Sequence, residues 1–122
     1  MEKQKIKSYQ DLTVWQKSRK FVVLLYQITD KFPRHEFFGL TNQMRRASVS
    51  IPSNIAEGFR RKSKKEKLQF LRISYGSGSE VETQLIIAKD LKYLNDSDFE
   101  ILNNLLGEIL SMLNKIISQF EA

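Results

Sequence analysis

The run FRRKSKKEK, residues 59–67, concentrates Arg60, Arg61, Lys62, Lys64, Lys65 and Lys67 in one short stretch. Side chains of this type at this density neutralise phosphate oxygens. Set at the start of a helix, they would act beside backbone N–H groups that lack an intrahelical partner. Ser63 and Glu66 have capping-box spacing, so a helix is expected to begin there. Cations at that end oppose the helix dipole by a few tenths to about 1 kcal/mol each. A sequence selected for stability alone would favour acids in their place, so the cluster is read as a binding surface for nucleic acid. A solvated charge run that aids solubility is the competing reading. Only Phe59 adjoins the cluster in sequence, so base stacking and sequence-specific readout are not indicated.

Other groups invite a catalytic reading and do not sustain it. His35 is the single histidine and follows Pro33 in a connecting segment, where a solvated side chain is the ordinary outcome. Glu57, Glu80 and Glu82 are carboxylates on predicted helices, but the Glu-x-x-His motif of di-metal bundles is missing. They fit better as partners of Arg45, Arg46 or Arg72, in ion pairs that set helix register, with Arg45 and Arg46 a secondary binding site if exposed. The GSGS of residues 76–79 lies inside a predicted helix and not in a strand–loop–helix phosphate cradle. No enzyme activity, metal or cofactor is expected.

Four helical segments must position these groups. The first runs from about Asp11, read as its N-cap, to Lys31. It carries Trp15, Phe21, Leu24, Leu25, Ile28 and Phe32 and is closed by Pro33. The second is Gly39–Gly58, with Leu40, Met44, Ala47, Ile51 and Ile55 at three-and-four spacing and Gly58 as a left-handed C-cap. Pro52 within it removes a backbone donor at a cost of about 3 kcal/mol, which implies a kink or a restart. The third extends from Ser63 to about Leu94, with Leu68, Leu71, Tyr75, Leu85, Ala88 and Leu91 on its core face. The fourth opens at Ser97 and Glu100, again at capping-box spacing, and carries Leu102, Leu105, Ile109, Met112, Leu113, Ile116 and Phe120. Short connections favour an all-α, antiparallel up-down four-helix bundle. The third helix would span roughly 46 Å against about 30 Å for the second. It must therefore bend or overhang. The stretch SYGSGSE, residues 74–80, is the expected place for a bend or a close helix contact.

The chain has 122 residues and 14.3 kDa, which suits one domain, with residues 1–10 as an N-terminal arm. It has no cysteine, so neither disulfides nor a thiolate metal site can form. The polar start MEKQKIKSYQ and the lack of a long apolar run lead to an expectation of a soluble, cytoplasmic protein. Net charge is +6 but unevenly placed. Residues 1–72 hold 17 Lys/Arg against 6 Asp/Glu, and residues 73–122 hold 3 against 8. Neutralisation between helices accounts for part of this. The excess that remains is the electrostatic footprint of a protein that meets nucleic acid or another acidic partner.

The order of motifs adds a second line of reasoning. DLTVWQ, then QMRRA, SIPSNIAEG and FLRISYGSGSEVETQL, over roughly residues 9 to 95, resembles the four-helix-bundle proteins encoded in intervening sequences of bacterial 23S rRNA genes. Accessory proteins of diversity-generating retroelements are relatives of that family. Gly78 and Ser79 stand where the family more often has bulkier residues. The resemblance implies a homo-oligomer, a closed ring of five. The leading functional expectation is a non-enzymatic oligomer that binds RNA or DNA through phosphate with low sequence specificity. The alternative is a scaffold that docks an acidic protein such as a reverse transcriptase or a ribosome-associated protein.

Overall fold

The computed structural model describes residues 5–122. A short 3-10 turn at Tyr9–Asp11 precedes α1 (Thr13–Thr29). Irregular turns follow at Arg34–Glu36 and Phe37–Thr41, then α2 (Asn42–Arg60), α3 (Lys64–Asp90) and α4 (Asp96–Glu121). α2 packs most extensively on α3, α3 packs on α4, and α1 closes the square against both α2 and α4. Sequential neighbours joined by short turns make this the expected up-down four-helix bundle, with no strand among the described residues.

Helix boundaries depart from the sequence reading at several points. Asp11 does not cap α1. Ser8 caps the preceding 3-10 turn, its Oγ accepting from Gln10 N at 3.2 Å. Asp11 closes that box by accepting from Lys7 N (2.8 Å) and Ser8 N (3.1 Å), and these bonds lower its pKa. α2 begins at Asn42, after a wide π-type turn, and runs unbroken through Pro52. Gly58 lies inside α2 and is not a left-handed cap. The described residue with positive φ is Lys92 (64°), which ends α3 at Asp90 while Tyr93 N bonds back to Ala88 O at 3.0 Å. α4 is capped by Asn95, which accepts from Asp98 N at 2.7 Å, and not by Ser97.

α3 remains longer than α2, 27 residues against 19. α3 has 27 residues and α4 has 26, so the two long helices match each other. α1 and α2, with 17 and 19 residues, are extended by the irregular segments at their ends. The core lies between all four: Phe21 and Leu25 from α1, Met44, Ile51 and Ile55 from α2, Val81 and Leu85 from α3, and Leu102, Leu106, Ile109 and Leu113 from α4 are fully buried. Each such side chain contributes about 1.5–3 kcal/mol by leaving water. Leu91 is exposed because the chain turns away just after it.

Small and polar residues line the α2–α3 contact. Ser74 Oγ, fully buried, donates to the Ile51 carbonyl at 2.9 Å, and Ser50 and Ser77 share a hydroxyl bond of 2.8 Å. A Cβ on Gly58 would stand 3.2 Å from Phe70 Cβ and 3.3 Å from the Lys67 carbonyl. On another side of α3, a Cβ on Gly78 would meet Leu110 Cδ2 of α4 at 2.6 Å, so residues 74–80 also pack closely on α4. Gly76 faces open space. Gly76→Ala should therefore stabilise the protein by about 0.5–1 kcal/mol through helix propensity. Gly58→Ala should destabilise it, because a backbone carbonyl cannot move aside. Urea titrations of both variants read the two signs directly.

Candidate nucleic-acid interface

The α2–α3 turn occupies one end of the bundle, and its cations divide into two groups. Arg61 and Lys67 are built into the fold. Arg61 is half-buried, bonds Glu57 Oε2 through Nη2 at 3.1 Å and lies over the Phe70 ring at 4.8 Å. Lys67 Nζ donates to the Phe59 carbonyl at 2.9 Å, satisfying one of the acceptors left open at the end of α2. Arg60, Lys62, Lys64 and Lys65 are exposed. Lys62 and Lys65 form no ion pair among the described residues, and Lys64 reaches only the Ala122 carbonyl at 3.3 Å. Ser63 caps α3 as expected, accepting from Glu66 N at 3.1 Å. From residue 57 to 72 there are seven Lys/Arg and two Asp/Glu.

The N-terminal segment folds against this end. The Arg60 guanidinium lies 5.3 Å from the centre of the Tyr9 ring, and Tyr9 packs edge-on against Trp15 at 5.2 Å. Lys5 and Lys7, both exposed, therefore enter the basic end. Lys3 lies outside the described residues. Tyr9 and Trp15 were not legible as neighbours of this end, because they are more than 40 positions from the cluster in sequence. Their only signal was the capping-box spacing of Ser8 and Asp11, which packs Tyr9 onto the bundle.

The other candidate ion pairs form differently from the sequence reading. Among the described residues, neither Arg45 nor Arg46 pairs with Glu57 or Glu80. Arg45 donates from Nε to Thr29 Oγ1 (3.1 Å) and from Nη2 to the Tyr26 carbonyl (3.2 Å), and lies 4.6 Å from the Tyr26 ring centre. It ties α2 to the carbonyl end of α1, where the Tyr26 carbonyl also accepts from Asp30 N at 3.1 Å. Arg46 is exposed on a shallow groove with Ser50, Ser77 and Glu80, and Arg72 pairs with Glu121 at 2.6 Å. Glu80 accepts a long bond of 3.5 Å from Gln84.

At the opposite end, Tyr93 OH donates to Glu36 Oε2 at 2.9 Å, and His35 Nε2 is 3.3 Å from the same hydroxyl. Glu36 Oε1 also accepts from Leu40 N at 3.2 Å, and this bond, then that of Tyr93, holds the Glu36 carboxyl below its ordinary pKa. His35 thus belongs to a latch between the two turns at that end. No group of three or more His, Asp or Glu placed to hold a metal occurs among the described residues.

Residues 10–115 match the family model of the 23S rRNA-intervening sequence protein. The chain belongs to this family. Among solved structures it is similar to a crystal structure of a protein of unknown function from the S23 ribosomal protein family of Bacteroides thetaiotaomicron VPI-5482. The two are 27% identical, with 86% of this chain and 98% of that chain covered and a TM-score of 0.78. None of the curated proteins matches. No helix among the described residues is long and apolar enough to cross a membrane.

The division between structural and exposed arginines is testable. Arg45→Ala removes two hydrogen bonds and a ring contact at a half-buried position, and should cost about 1–2 kcal/mol in urea unfolding. Arg60→Ala, at an exposed position, should cost less than about 0.5 kcal/mol.

Proposed function

We propose that this member of the 23S rRNA-intervening sequence protein family is a non-enzymatic, cytoplasmic homo-oligomer that binds the phosphate backbone of RNA or DNA. The observation that carries the reading is the set of exposed cations at the α2–α3 turn. Lys62, Lys64 and Lys65 stand at the positive end of the α3 dipole, where they oppose folding, Arg60 ends α2 beside them, and little of this charge is used in ion pairs. Lys5 and Lys7 enlarge the same field. Lysine and arginine on a short turn contact phosphate and not base edges, so sequence preference is low. A ring of five, the assembly implied by the family resemblance, would present five copies of this surface and let weak contacts act together.

Binding through about four phosphates per subunit gives a slope of log K against log salt near −3 to −4. Replacing Arg60, Lys62, Lys64 and Lys65 with alanine should flatten that slope for both RNA and DNA. Helix content and the oligomer mass from light scattering should stay unchanged. Arg61 is left intact because its contacts with Glu57 and Phe70 serve the fold. Undetectable or salt-insensitive binding at low ionic strength removes this reading. The same cations would then point to an acidic protein partner, such as a reverse transcriptase or a ribosome-associated protein. A monomer at micromolar concentration removes the ring.

A further inference from the structure

Four aromatic rings at the basic end each carry a cation, although only one of them adjoins the cluster in sequence. Arg60 covers Tyr9 at 5.3 Å, Arg19 covers Trp15 at 5.7 Å, Arg61 covers Phe70 at 4.8 Å and Lys67 covers Phe59 at 5.8 Å. The last two cations are committed to hydrogen bonds within the fold. Arg19 and Arg60 are exposed and have no hydrogen bond beyond their ring contacts among the described residues. Their two rings border one shallow, open cleft of about 350 Å³ between α1 and α2, which is lined also by Val23, Val49 and Pro52. Val23 is 53% exposed and Val49 39%, so this apolar lining is open to solvent. Volumes of this size lie at the lower end of ligand-binding clefts.

We infer that the Tyr9–Trp15 cleft takes an unpaired base of a single-stranded nucleic acid, with Arg19 and Arg60 moving from the rings to the flanking phosphates. The inference rests on the phosphate-binding reading above and narrows its ligand to single strands. Charge decides the occupant. An apolar, aromatic-bordered cleft flanked by two guanidinium groups matches a ligand that alternates flat apolar surfaces with anions. The exchange is favourable in kind, because an exposed cation–π contact is weaker than a base stacked on an aromatic ring. A duplex keeps its bases paired and stacked on one another, and so offers the cleft nothing beyond phosphate. Stacking tolerates any base, so low sequence preference is retained.

Trp15 is the chain's single tryptophan and reports on the cleft from within it. The full chain is titrated with a fluorescein-labelled oligouridylate, with an RNA duplex of the same length, and with inorganic polyphosphate. The expected result is saturable quenching of Trp15 by the single strand, and binding of duplex and polyphosphate with emission unchanged. Tyr9→Leu should weaken the single strand about tenfold and leave duplex binding unaltered. Circular dichroism checks that this variant is folded, and its remaining Trp15 signal keeps the test readable. Single-strand binding without quenching, or equal quenching by duplex, overturns the inference and leaves the phosphate reading standing. Absence of binding to any of the three overturns both. Emission that changes with protein concentration and not with nucleic acid means that a second copy of the chain covers the cleft, and also overturns it.

Discussion

The close approach of α2 and α3 is the constraint on which the rest of the molecule depends. A side chain at Gly58 would crowd Phe70 and the Lys67 carbonyl, and the buried Ser74 hydroxyl bonds to the carbonyl of Ile51. Helices this near can be joined by only a few residues, and three, Arg61 to Ser63, separate them. The shortness of that turn forces the cations of residues 60–67 onto one end of the bundle. It also brings the carbonyl end of α2 beside the start of α3, where Lys67 caps Phe59. Polar residues that look misplaced in α2 are consistent with this packing. Ser48, Ser53 and Asn54 bond to carbonyls of the same helix, and Ser50 pairs with Ser77 of α3.

The two ends of the bundle differ in how charge is placed. The acidic C-terminal half places Asp96 and Asp98 in the first turn of α4, where they favour the helix dipole. That turn lies at the end opposite the basic cluster. Some neutralisation between halves does occur, through Lys17–Glu108 (2.7 Å), Arg72–Glu121 (2.6 Å) and Lys31–Asp98 (3.9 Å). The Lys17 bond holds the Glu108 carboxyl below its ordinary pKa. Exposed pairs of this kind are worth about 1 kcal/mol or less. They leave Lys62 and Lys65 of the α2–α3 turn without an ion pair among the described residues.

Apolar periodicity made the four helices and most of the core legible, since Phe21, Leu25, Ile51, Leu85 and Leu113 fall on the expected faces. The helix ends were less so, for a physical reason. Glycine is the usual left-handed residue, and Gly58 was read that way, yet close packing is what requires it. The left-handed position belongs to Lys92, a residue with no such preference. Pro52 suggested a break, but α2 is long enough and sufficiently buried to continue through it. For the arginines, a linear reading identified the cations and not their partners. The contacts of Arg60 with Tyr9, and of Arg45 with Tyr26 and Thr29, join separate segments that only the folded bundle brings together.

The central claim is that nucleic acid meets the protein at the end formed by the α2–α3 turn and the N-terminal segment. Hydrogen–deuterium exchange of the full chain, with and without an oligouridylate, tests it most directly. Exchange should slow in residues 5–12 and 59–66 and stay unchanged in residues 34–41 and 91–98 at the opposite end. Protection centred on the opposite end, or binding with no protection at residues 59–66, would contradict the account.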